Sequence, residues 1–292
     1  MFVAGIDGGG THTRIELRDM ENRLLRQGNF GPFNLNAIGE SSFRALLREV
    51  FHWCGSMEHC ARLCIGAAGI SNPKVGEILG EELAAAGFSG KWKLCGDQEI
   101  ALRGAMDDPG VVIIAGTGSI CFGKNAAGQT ARSGGFGHLI DDGGSGYALG
   151  RDVLSSAVRA VDGRLTDTAI LREVCTRLEC GPEGIVPFVF SPKTDKAAIA
   201  RLSFVALDLA DRGNPEALQI LHRGAGELFA LVEAVQVRLG MPGCPIAMLG
   251  GLLTEKNAYR RVVEEALSQL GLVTDAAHSA LWGAAQMAWE MN

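Results

Sequence analysis

The chain has 292 residues, of which 47% are hydrophobic and 21% charged, and its formal net charge is −6 at pH 7. This composition is typical of a globular protein with enough apolar material for a sizeable core. Because the charge is acidic and the basic residues are scattered, nucleic acid is excluded as an expected partner. No stretch approaches the roughly 20 apolar residues that a membrane helix needs.

The start of the chain and its cysteines predict a cytoplasmic protein. The N-terminus has neither the charged segment nor the long apolar segment of a signal peptide. Several of the eight cysteines lie within apolar runs such as RLCIGAAGI and SICFG, where a buried thiol is expected. The sequence therefore predicts reduced cysteines and a cytoplasmic location.

The first predicted elements are two strands joined by a glycine-rich turn. An apolar run over residues 3–7 leads into three consecutive glycines, and TRIELRD then alternates, with Ile15 and Leu17 on one side and charged residues on the other. A period of two is typical of a half-buried strand. The opening stretch, FVAGIDGGGTHTRIEL, is therefore predicted to fold as strand, tight turn and strand.

Strands and helices alternate through the remainder of the first half. ESSFRALLREVFHW is predicted as a helix capped by Ser41 or Ser42, and ARLCIGAAGI and KWKLCGD are predicted as strands, each followed by a helix. After the turn DDPG, the stretch GVVIIAGTGSICFGKN repeats the opening pattern, with an apolar run, a Gly-x-Gly turn at Gly116 and a second strand.

Helices dominate the rest of the second half. The predicted helices are YALGRDVLSSAVRAV, TDTAILREVCTRL, DKAAIARLSFVALDLADRG and PEALQILHRGAGELFALVEAVQVRLG, and CGPEGIVPFVFSPKTD is expected to be irregular. A strand, CPIAMLGG, then precedes the helix EKNAYRRVVEEALSQLG and the final helix AAHSALWGAAQMAWEM. The alternation of strand and helix, with one pattern used twice, indicates an α/β protein with two similar halves.

Both glycine turns are candidate phosphate-binding sites, because backbone N–H groups without neighbouring side chains can point together toward phosphate oxygens. Thr11 and Thr13 add hydroxyls to the first turn, and Thr117 and Ser119 to the second. Asp7 adjoins the first turn and is ionised at neutral pH. It would repel a phosphate unless a cation intervened, so Mg²⁺ held largely through water is the predicted mediator. The alternative is two ordinary glycine hairpins with an aspartate in one turn.

Asp97 is the candidate general base. It follows the apolar run of KWKLCGD and precedes a helix, so it would lie at the carboxyl end of a strand, where open sheets bind their ligands. A carboxylate there would accept a proton from a substrate hydroxyl that attacks a γ-phosphate. The alternative is a helix N-cap, a common role for aspartate.

Two further glycine-rich stretches are candidate binding loops. In SGGFGHLIDDGGSGYALG, Asp142 would hold a polyol hydroxyl or assist the metal, and His138 would donate to a hydroxyl or acyl oxygen. The alternative is a turn capped by Asp141 or Ser145. In MLGGLLTEKN, Gly250 and its neighbour would let a flat ring approach the backbone, although a simple strand-to-helix turn is the better explanation of the pair taken alone.

Taken in order, the motifs GIDGGGTHTR, GPFNLNAIG, CIGAAGIS, LCGDQEIA, AGTGSICFG, GGFGHLIDDGGSGYALG and MLGG resemble those of the N-acetylglucosamine kinases within the BadF/BadG-type ATPases. These belong to the superfamily of sugar kinases, actin and Hsp70. The resemblance covers nearly the whole chain, and AGTGS with GGFGH and DDGGSGY is its specific part.

The resemblance implies an α/β fold of two similar ribonuclease H-like (actin-like ATPase) domains with a nucleotide cleft between them. The domains would be residues 1–107 with the C-terminal helix 277–292, and residues 108–276. Asp97 matches the catalytic base. The residues expected to bind ATP and Mg²⁺ are Asp7 (the metal, through water), Gly8, Gly9, Gly10, Thr11, Gly116, Thr117, Gly118, Ser119, Gly250 and Gly251. Those expected to bind the amino sugar are Asn34, Gly135, Phe136, Gly137, His138 and Asp142.

The sequence departs from the family pattern near the sugar. Phe136 stands where the kinases often have Trp, and Ala68 where similar eukaryotic enzymes have Ser. Asp141 replaces a Gly, and Gly143 replaces an acidic residue. The expected reaction is ATP-dependent phosphorylation of the 6-hydroxyl of N-acetylglucosamine, with glucosamine and N-acetylmuramic acid as open alternatives, by a homodimer.

Two other functions are compatible with this family. One is an ATPase activator of a radical dehydratase or reductase, which would hold an iron–sulfur cluster between cysteines. The sequence has no cysteine pair in the context of that cluster. The other is a non-catalytic sugar sensor, which usually carries an added DNA-binding domain. An amino-sugar kinase is therefore the favoured interpretation.

Overall fold

The fold is taken from a computed structural model that describes residues 1–70, 72–107 and 109–291. Ser71, which ends the CIGAAGIS motif, and Asp108, at the predicted domain boundary, lie outside these ranges. The chain divides into two compact units: unit 1 comprises Met1–Asp108 with Ala276–Asn292, and unit 2 comprises Pro109–Asp275.

Unit 1 contains a five-stranded sheet built from β1 (Phe2–Gly8), β2 (Thr13–Arg18), β3 (Leu24–Phe30), β4 (Cys60–Ala67) and β5 (Lys91–Gly96). The strand order is β3-β2-β1-β4-β5. The first three strands are antiparallel, whereas β4 and β5 run parallel to β1. The parallel strands therefore end at one edge of the sheet, where Asp7 and Asp97 lie.

Three helices follow strands of unit 1: α1 (Leu35–Cys54), α2 (Pro73–Ala85) and α3 (Asp97–Ala105). The prediction that Ser41 or Ser42 caps α1 is wrong, because the helix begins earlier with Asn34 as its N-cap. Gly39, with φ of 78°, interrupts the first turns of α1, and the amphipathic part identified from sequence follows this break.

Unit 2 repeats the same sheet. Its strands are β6 (Gly110–Ala115), β7 (Ser119–Lys124), β8 (Thr130–Gly134), β9 (Gly243–Leu249) and β10 (Gly271–Asp275). Their order is β10-β9-β6-β7-β8, with β6, β7 and β8 antiparallel and β9 and β10 parallel to β6. The predicted α/β class with two similar halves is thus confirmed. The third strand of each sheet, and β10, were not recognised from sequence.

Unit 2 is richer in helix, as predicted. Its helices are α4 (Gly146–Val161), α5 (Ala169–Leu178), α6 (Ile185–Val189), α7 (Lys196–Arg201), α8 (Ser203–Asp211), α9 (Pro215–Leu239), α10 (Gly251–Thr254) and α11 (Ala258–Leu267). The segment expected to be irregular contains the short helix α6. The single helix predicted across α7 and α8 is divided at Leu202, which keeps right-handed helical dihedral angles.

The last helix, α12 (Ala280–Glu290), packs on the sheet of unit 1 against β1 and α3. The approach is close: a Cβ at Gly283 would lie 2.0 Å from the Ile100 carbonyl oxygen. The chain leading into α12 is also tied to α3, since the Ala277 N–H donates to the Ala105 carbonyl at 2.9 Å. This helix completes the apolar layer on one face of the sheet.

The prediction that β2 is half-buried is wrong, because α12 covers its second face. Ile15 and Leu17 face the core as expected, but Glu16 and Arg18 on the opposite face are only 2% and 8% exposed. They form a 2.5 Å ion pair with each other, and the Arg18 guanidinium lies 5.4 Å from the ring centre of Trp282 on α12. The alternation was correct in register, but it did not reveal that a distant helix covers the polar face.

No helix formed by residues 1–70, 72–107 or 109–291 is both long and apolar enough to cross a membrane.

Candidate active site

The first glycine turn, between β1 and β2, is closed by its own backbone. The Gly9 N–H donates to the His12 carbonyl at 2.9 Å, and the Gly9 carbonyl accepts from the Phe33 N–H at 2.9 Å. Gly10 and Thr11 form the exposed tip of the turn. The Gly9 N–H is therefore engaged within the fold, and the part of the turn that faces a ligand is its tip.

Thr13 and Ser119 hold equivalent positions in the two units. Each is buried and is the first residue of the second strand of its sheet. The Thr13 hydroxyl donates to the Gly31 carbonyl at 2.7 Å, and the Ser119 hydroxyl donates to the Gly143 carbonyl at 2.7 Å. Both hydroxyls are thus used within the fold, contrary to the expectation that they face phosphate. The exposed hydroxyls at the turns belong to Thr11 and Thr117.

Asp7 is paired with a residue that the sequence interpretation had not singled out. It lies directly opposite Arg14 in the β1–β2 ladder, and Arg14 Nη2 lies 2.6 Å from Asp7 Oδ2. The Asp7 side chain is 12% exposed and that of Arg14 is 51% exposed. The carboxylate beside the first turn therefore has a positive partner, which reduces the repulsion that it would exert on a phosphate.

Asp97 is the first residue of α3, directly after β5, and it is not the N-cap. Gly96 is the cap, and its N–H donates to Glu99 Oε1 at 3.3 Å. The Asp97 Oδ1 accepts a local bond from the Gln98 N–H, at 2.9 Å. The structure therefore gives the capping role to other groups and leaves the Asp97 carboxylate exposed at the carboxyl edge of the parallel strands.

The environment of Asp97 suits a general base. Although Asp97 is exposed, desolvation by the surrounding protein raises the pKa of its carboxyl above the ordinary value. The hydrogen bond from the Gln98 N–H lowers the pKa of Asp97, whereas the negative charge of Asp7 raises it further. A raised pKa makes the carboxylate a better proton acceptor.

Asn34, the predicted sugar ligand, is half-buried at the start of α1. Its Oδ1 accepts from the Ala37 N–H at 3.2 Å and caps the helix. With the oxygen engaged, the side-chain amide nitrogen is the group left to donate to a hydroxyl.

The second glycine turn joins β6 to β7 and is tied to the start of α4. The Gly116 N–H donates to the Gly118 carbonyl at 2.9 Å, and the Gly116 carbonyl accepts from the Gly146 N–H at 2.8 Å. The Thr117 carbonyl accepts from the Tyr147 N–H at 3.2 Å. The turn is therefore fixed in place by the helix, with the Thr117 side chain exposed.

Asp142 lies against this second turn. It is 5% exposed, its φ is 63°, and its Oδ1 accepts a long 3.5 Å bond from the Ser119 N–H. A Cβ at Gly118 would lie 2.9 Å from Asp142 Oδ2, so the glycine leaves room for the carboxylate. Both roles considered for Asp142, binding a sugar hydroxyl and assisting the metal, stay predictions.

The loop before Asp142 presents the other predicted sugar ligands. Gly135 and Gly137 have φ values of 73° and 95°. Phe136 is 64% exposed, its N–H donates to Asp141 Oδ2 at 3.1 Å, and the Arg132 guanidinium lies 4.8 Å from the centre of its ring. His138 packs edge-on against Tyr147 at 4.6 Å. Of the two caps that the alternative interpretation proposed, Ser145 is present as the N-cap of α4.

Three residues that were predicted to bind the nucleotide line one cavity of unit 2. A cleft of about 550 Å³, called the Gly116 cleft below, is lined by Gly116, Thr117 and Gly251, with further residues of α7, α8 and α10. Gly250 adjoins it with φ of 89°, and a Cβ there would lie 2.3 Å from the Ala115 carbonyl oxygen. Gly250 is therefore required by the backbone, whereas Gly251 has room for a side chain, and the binding of a ring beside the pair stays a prediction.

The residues that would hold Mg²⁺ fit a water-mediated site. Among the described residues, no group of three or more His, Cys, Asp or Glu side chains could enclose a metal. Mg²⁺ usually keeps several waters and is held by one or two carboxylates together with substrate phosphates. Asp7 beside the first turn, or Asp142 beside the second, fits that pattern.

Comparison with known proteins identifies relatives along the whole chain. The sequence profile of the BadF/BadG/BcrA/BcrD ATPase family matches residues 4–288. The chain is 32% identical over 265 residues to an N-acetylmuramic acid/N-acetylglucosamine kinase of Clostridium acetobutylicum, covering 88% of this chain and 87% of that protein. It is 28% identical over 280 residues to an N-acetyl-D-glucosamine kinase of Dictyostelium discoideum, covering 87% and 86%. The fold is similar to that of a candidate N-acetylglucosamine kinase from Chromobacterium violaceum, with a TM-score of 0.79, 25% identity and 98% of both chains covered.

Proposed function

Because the chain belongs to the BadF/BadG/BcrA/BcrD ATPase family, we propose that it is an ATP-dependent kinase that phosphorylates an amino sugar. The proposal depends on the position of Asp97. Its carboxylate lies at the carboxyl edge of three parallel strands, and helix α3, which begins at Asp97, is capped by other groups. The kinases to which the chain is similar act on N-acetylglucosamine and N-acetylmuramic acid.

Asp97 acts as the base in the proposed reaction. It accepts the proton of the sugar 6-hydroxyl as that oxygen forms a bond to the γ-phosphorus of ATP, and the bond from the γ-phosphorus to the β–γ bridging oxygen breaks. ADP leaves with the electron pair of that bond. When bound, Mg²⁺ supplies positive charge that neutralises the phosphate oxygens.

Groups suited to this reaction occur in both units, each considered by itself. Unit 1 has Asp97, the tip of the first glycine turn and the Asp7–Arg14 pair. Unit 2 has the Gly116 turn and the Gly116 cleft, which we propose for the nucleotide. Donors and acceptors for sugar hydroxyls come from Asn34 and from the loop of Phe136, His138 and Asp142, the last of which also serves the phosphates.

N-acetylglucosamine is the proposed preferred substrate, with glucosamine and N-acetylmuramic acid as alternatives. A coupled assay of ADP release across these amino sugars, at fixed ATP, discriminates among them. The position of transfer is checked by phosphorus NMR of the product and by the loss of turnover with the 6-deoxy sugar. Phosphorylation at another hydroxyl would overturn the assignment of the 6-hydroxyl but not that of the kinase.

The competing functions give different results in the same experiment. A dehydratase or reductase activator would be a coloured protein that hydrolyses ATP without sugar, and a sugar sensor would bind sugar without releasing ADP. Since the reaction consumes ATP, we place it in the cytoplasm. The homodimer expected from the resemblance is tested by sedimentation equilibrium.

A further inference from the structure

One face of the α7–α8 segment borders the Gly116 cleft. Ala197, Ala200, Arg201 and Phe204 all line the cleft. Their spacing of three, four and seven residues is that of one helical face, and Leu202 between the two helices keeps helical dihedral angles. The residues therefore form one continuous side of the cavity.

Phe204 is the unusual member of this face. It is 48% exposed, although Val205, Ala206 and Leu207, which follow it on α8, are all buried. A large aromatic ring that borders a cavity beside a glycine turn offers a flat apolar surface to a ligand. Packing within the fold does not account for this position of the ring.

Two charged side chains line the same cavity. Arg201 borders it from α7, and Glu255 borders it from the residue that follows α10. Within the part of the chain that the structure describes, neither side chain forms an ion pair or a hydrogen bond. The positive charge of Arg201 offsets the negative charge of Glu255, so the cleft does not repel a polyanion.

We propose that Phe204 and Glu255 select a ribonucleoside: the base stacks on Phe204, and Glu255 accepts hydrogen bonds from the ribose hydroxyls. This rests on the proposed ATP-dependent function. The phosphates lie at Gly116 and Thr117, so the nucleoside occupies the rest of the cleft. A carboxylate accepts but does not donate hydrogen bonds, which matches a vicinal diol and opposes phosphate oxygens. Any base can stack on a phenyl ring, so the site should discriminate more strongly between different riboses than between different bases.

The test uses the full-length protein with an amino sugar that wild type phosphorylates. Phe204→Ala should raise the KM for ATP and the calorimetric Kd for ADP by about tenfold. The kcat should be unchanged, because stacking is equal in the ground and transition states. Phe204→Trp should restore both constants. Phe190→Ala, which removes an 81% exposed ring outside the cleft, is the matched control.

Glu255 is tested by exchanging the nucleotide. Wild type should discriminate against 2′,3′-dideoxy-ATP by about tenfold or more in KM, and Glu255→Ala should reduce that ratio toward one. Glu265→Ala, on α11 outside the cleft, should keep the wild-type ratio.

The outcomes separate this inference from the proposed function. If wild type phosphorylates the sugar but Phe204→Ala behaves like Phe190→Ala, or the ratio is insensitive to Glu255, the assignment is wrong and the kinase stands. If wild type neither binds ADP nor phosphorylates any amino sugar, the proposed function fails, and the inference fails with it.

Discussion

Asp7 and Arg14 lie opposite each other on adjacent strands, and their ion pair, 2.6 Å long, spans the base of the first glycine turn. The pair holds the Asp7 carboxylate near the carboxyl edge of the parallel strands, where Asp97 also lies, and the Asp7 charge contributes to the raised pKa of Asp97. A single charge pair therefore affects both the phosphate turn and the proposed base.

Arg14→Ala should weaken nucleotide binding, and more so without Mg²⁺. The change leaves the Asp7 carboxylate uncompensated beside the phosphates, a repulsion worth about a tenfold loss in affinity. Bound Mg²⁺ would replace part of the missing positive charge. Calorimetric Kd values for ADP with and without Mg²⁺ measure the difference. Arg23→Ala, which breaks the exposed pair of Arg23 with Asp19, is the control. An equal loss under both conditions would contradict this role of Arg14.

Asp97→Asn should reduce kcat by about 10²–10⁴-fold, the usual contribution of a general base. Sugar binding should be nearly unchanged, because the amide keeps the shape of the carboxyl. In wild type, kcat should rise with pH through the raised pKa of Asp97, since only the carboxylate accepts a proton. The variant should lack that rise. Near wild-type turnover in Asp97→Asn would show that the base is another residue.

The same substitution should stabilise the protein at neutral pH. The pKa of Asp97 is raised in the folded protein by desolvation, so the unfolded chain loses its proton first as pH rises. The contribution of Asp97 to the free energy of unfolding therefore decreases as pH rises from the pKa of the unfolded chain to that of the folded protein. Above both pKa values it stays at the lower level. Thermal unfolding should give a higher Tm for Asp97→Asn at pH 7, and the gain should disappear at acidic pH, where both forms are protonated. A gain that persists in acid would point to a different cause.

The four hydroxyls near the glycine turns should separate into two classes. Thr13→Val and Ser119→Ala remove buried donors to the Gly31 and Gly143 carbonyls, and each should cost about 1 kcal/mol of stability. Thr11→Val and Thr117→Val alter exposed positions, so they should leave stability unchanged and weaken ADP binding. Urea unfolding and calorimetry on the four variants provide the comparison. A loss of stability in Thr11→Val or Thr117→Val would contradict the assignment of these two hydroxyls to ligand binding.

Gly250 and Gly251 should respond differently to alanine. At Gly250, φ of 89° and a Cβ at 2.3 Å from the Ala115 carbonyl oxygen oppose any side chain, so Gly250→Ala should cost about 3 kcal/mol. A Cβ at Gly251 meets no atom within 4 Å, so Gly251→Ala should fold normally. Because Gly251 lines the Gly116 cleft, its variant should raise the KM for ATP. Equal unfolding free energies for the two variants would contradict this distinction.

Local patterns predicted much of the fold. The apolar run, glycine turn and alternating strand at the start of each half gave the antiparallel pairs β1–β2 and β6–β7 correctly. The third strands were missed because β3 (Leu24–Phe30) is mostly exposed and carries no apolar alternation. The cover over Glu16 and Arg18 comes from α12, more than 260 residues later, and no local period can show it.

The candidate site was predicted less completely. Asp97 and Gly250 were identified because strand ends and glycine pairs are visible in the sequence. Arg14 was treated only as part of a polar strand face, although the hairpin register alone places it opposite Asp7. The Phe204 face was assigned to an ordinary helix, since the same spacing serves a core or a cavity and only the folded chain distinguishes them.

The packing of α12 has a consequence for the newly made chain. Strand β1 and helix α3, which carry Asp7 and Asp97, lack one apolar cover until Ala284 and Ala288 of α12 have been synthesised. Unit 2 is synthesised entirely before that helix. On the ribosome, the half that bears the proposed base should therefore mature last, although its strands emerge first, and arrest of translation ahead of residue 280 should leave it sensitive to protease.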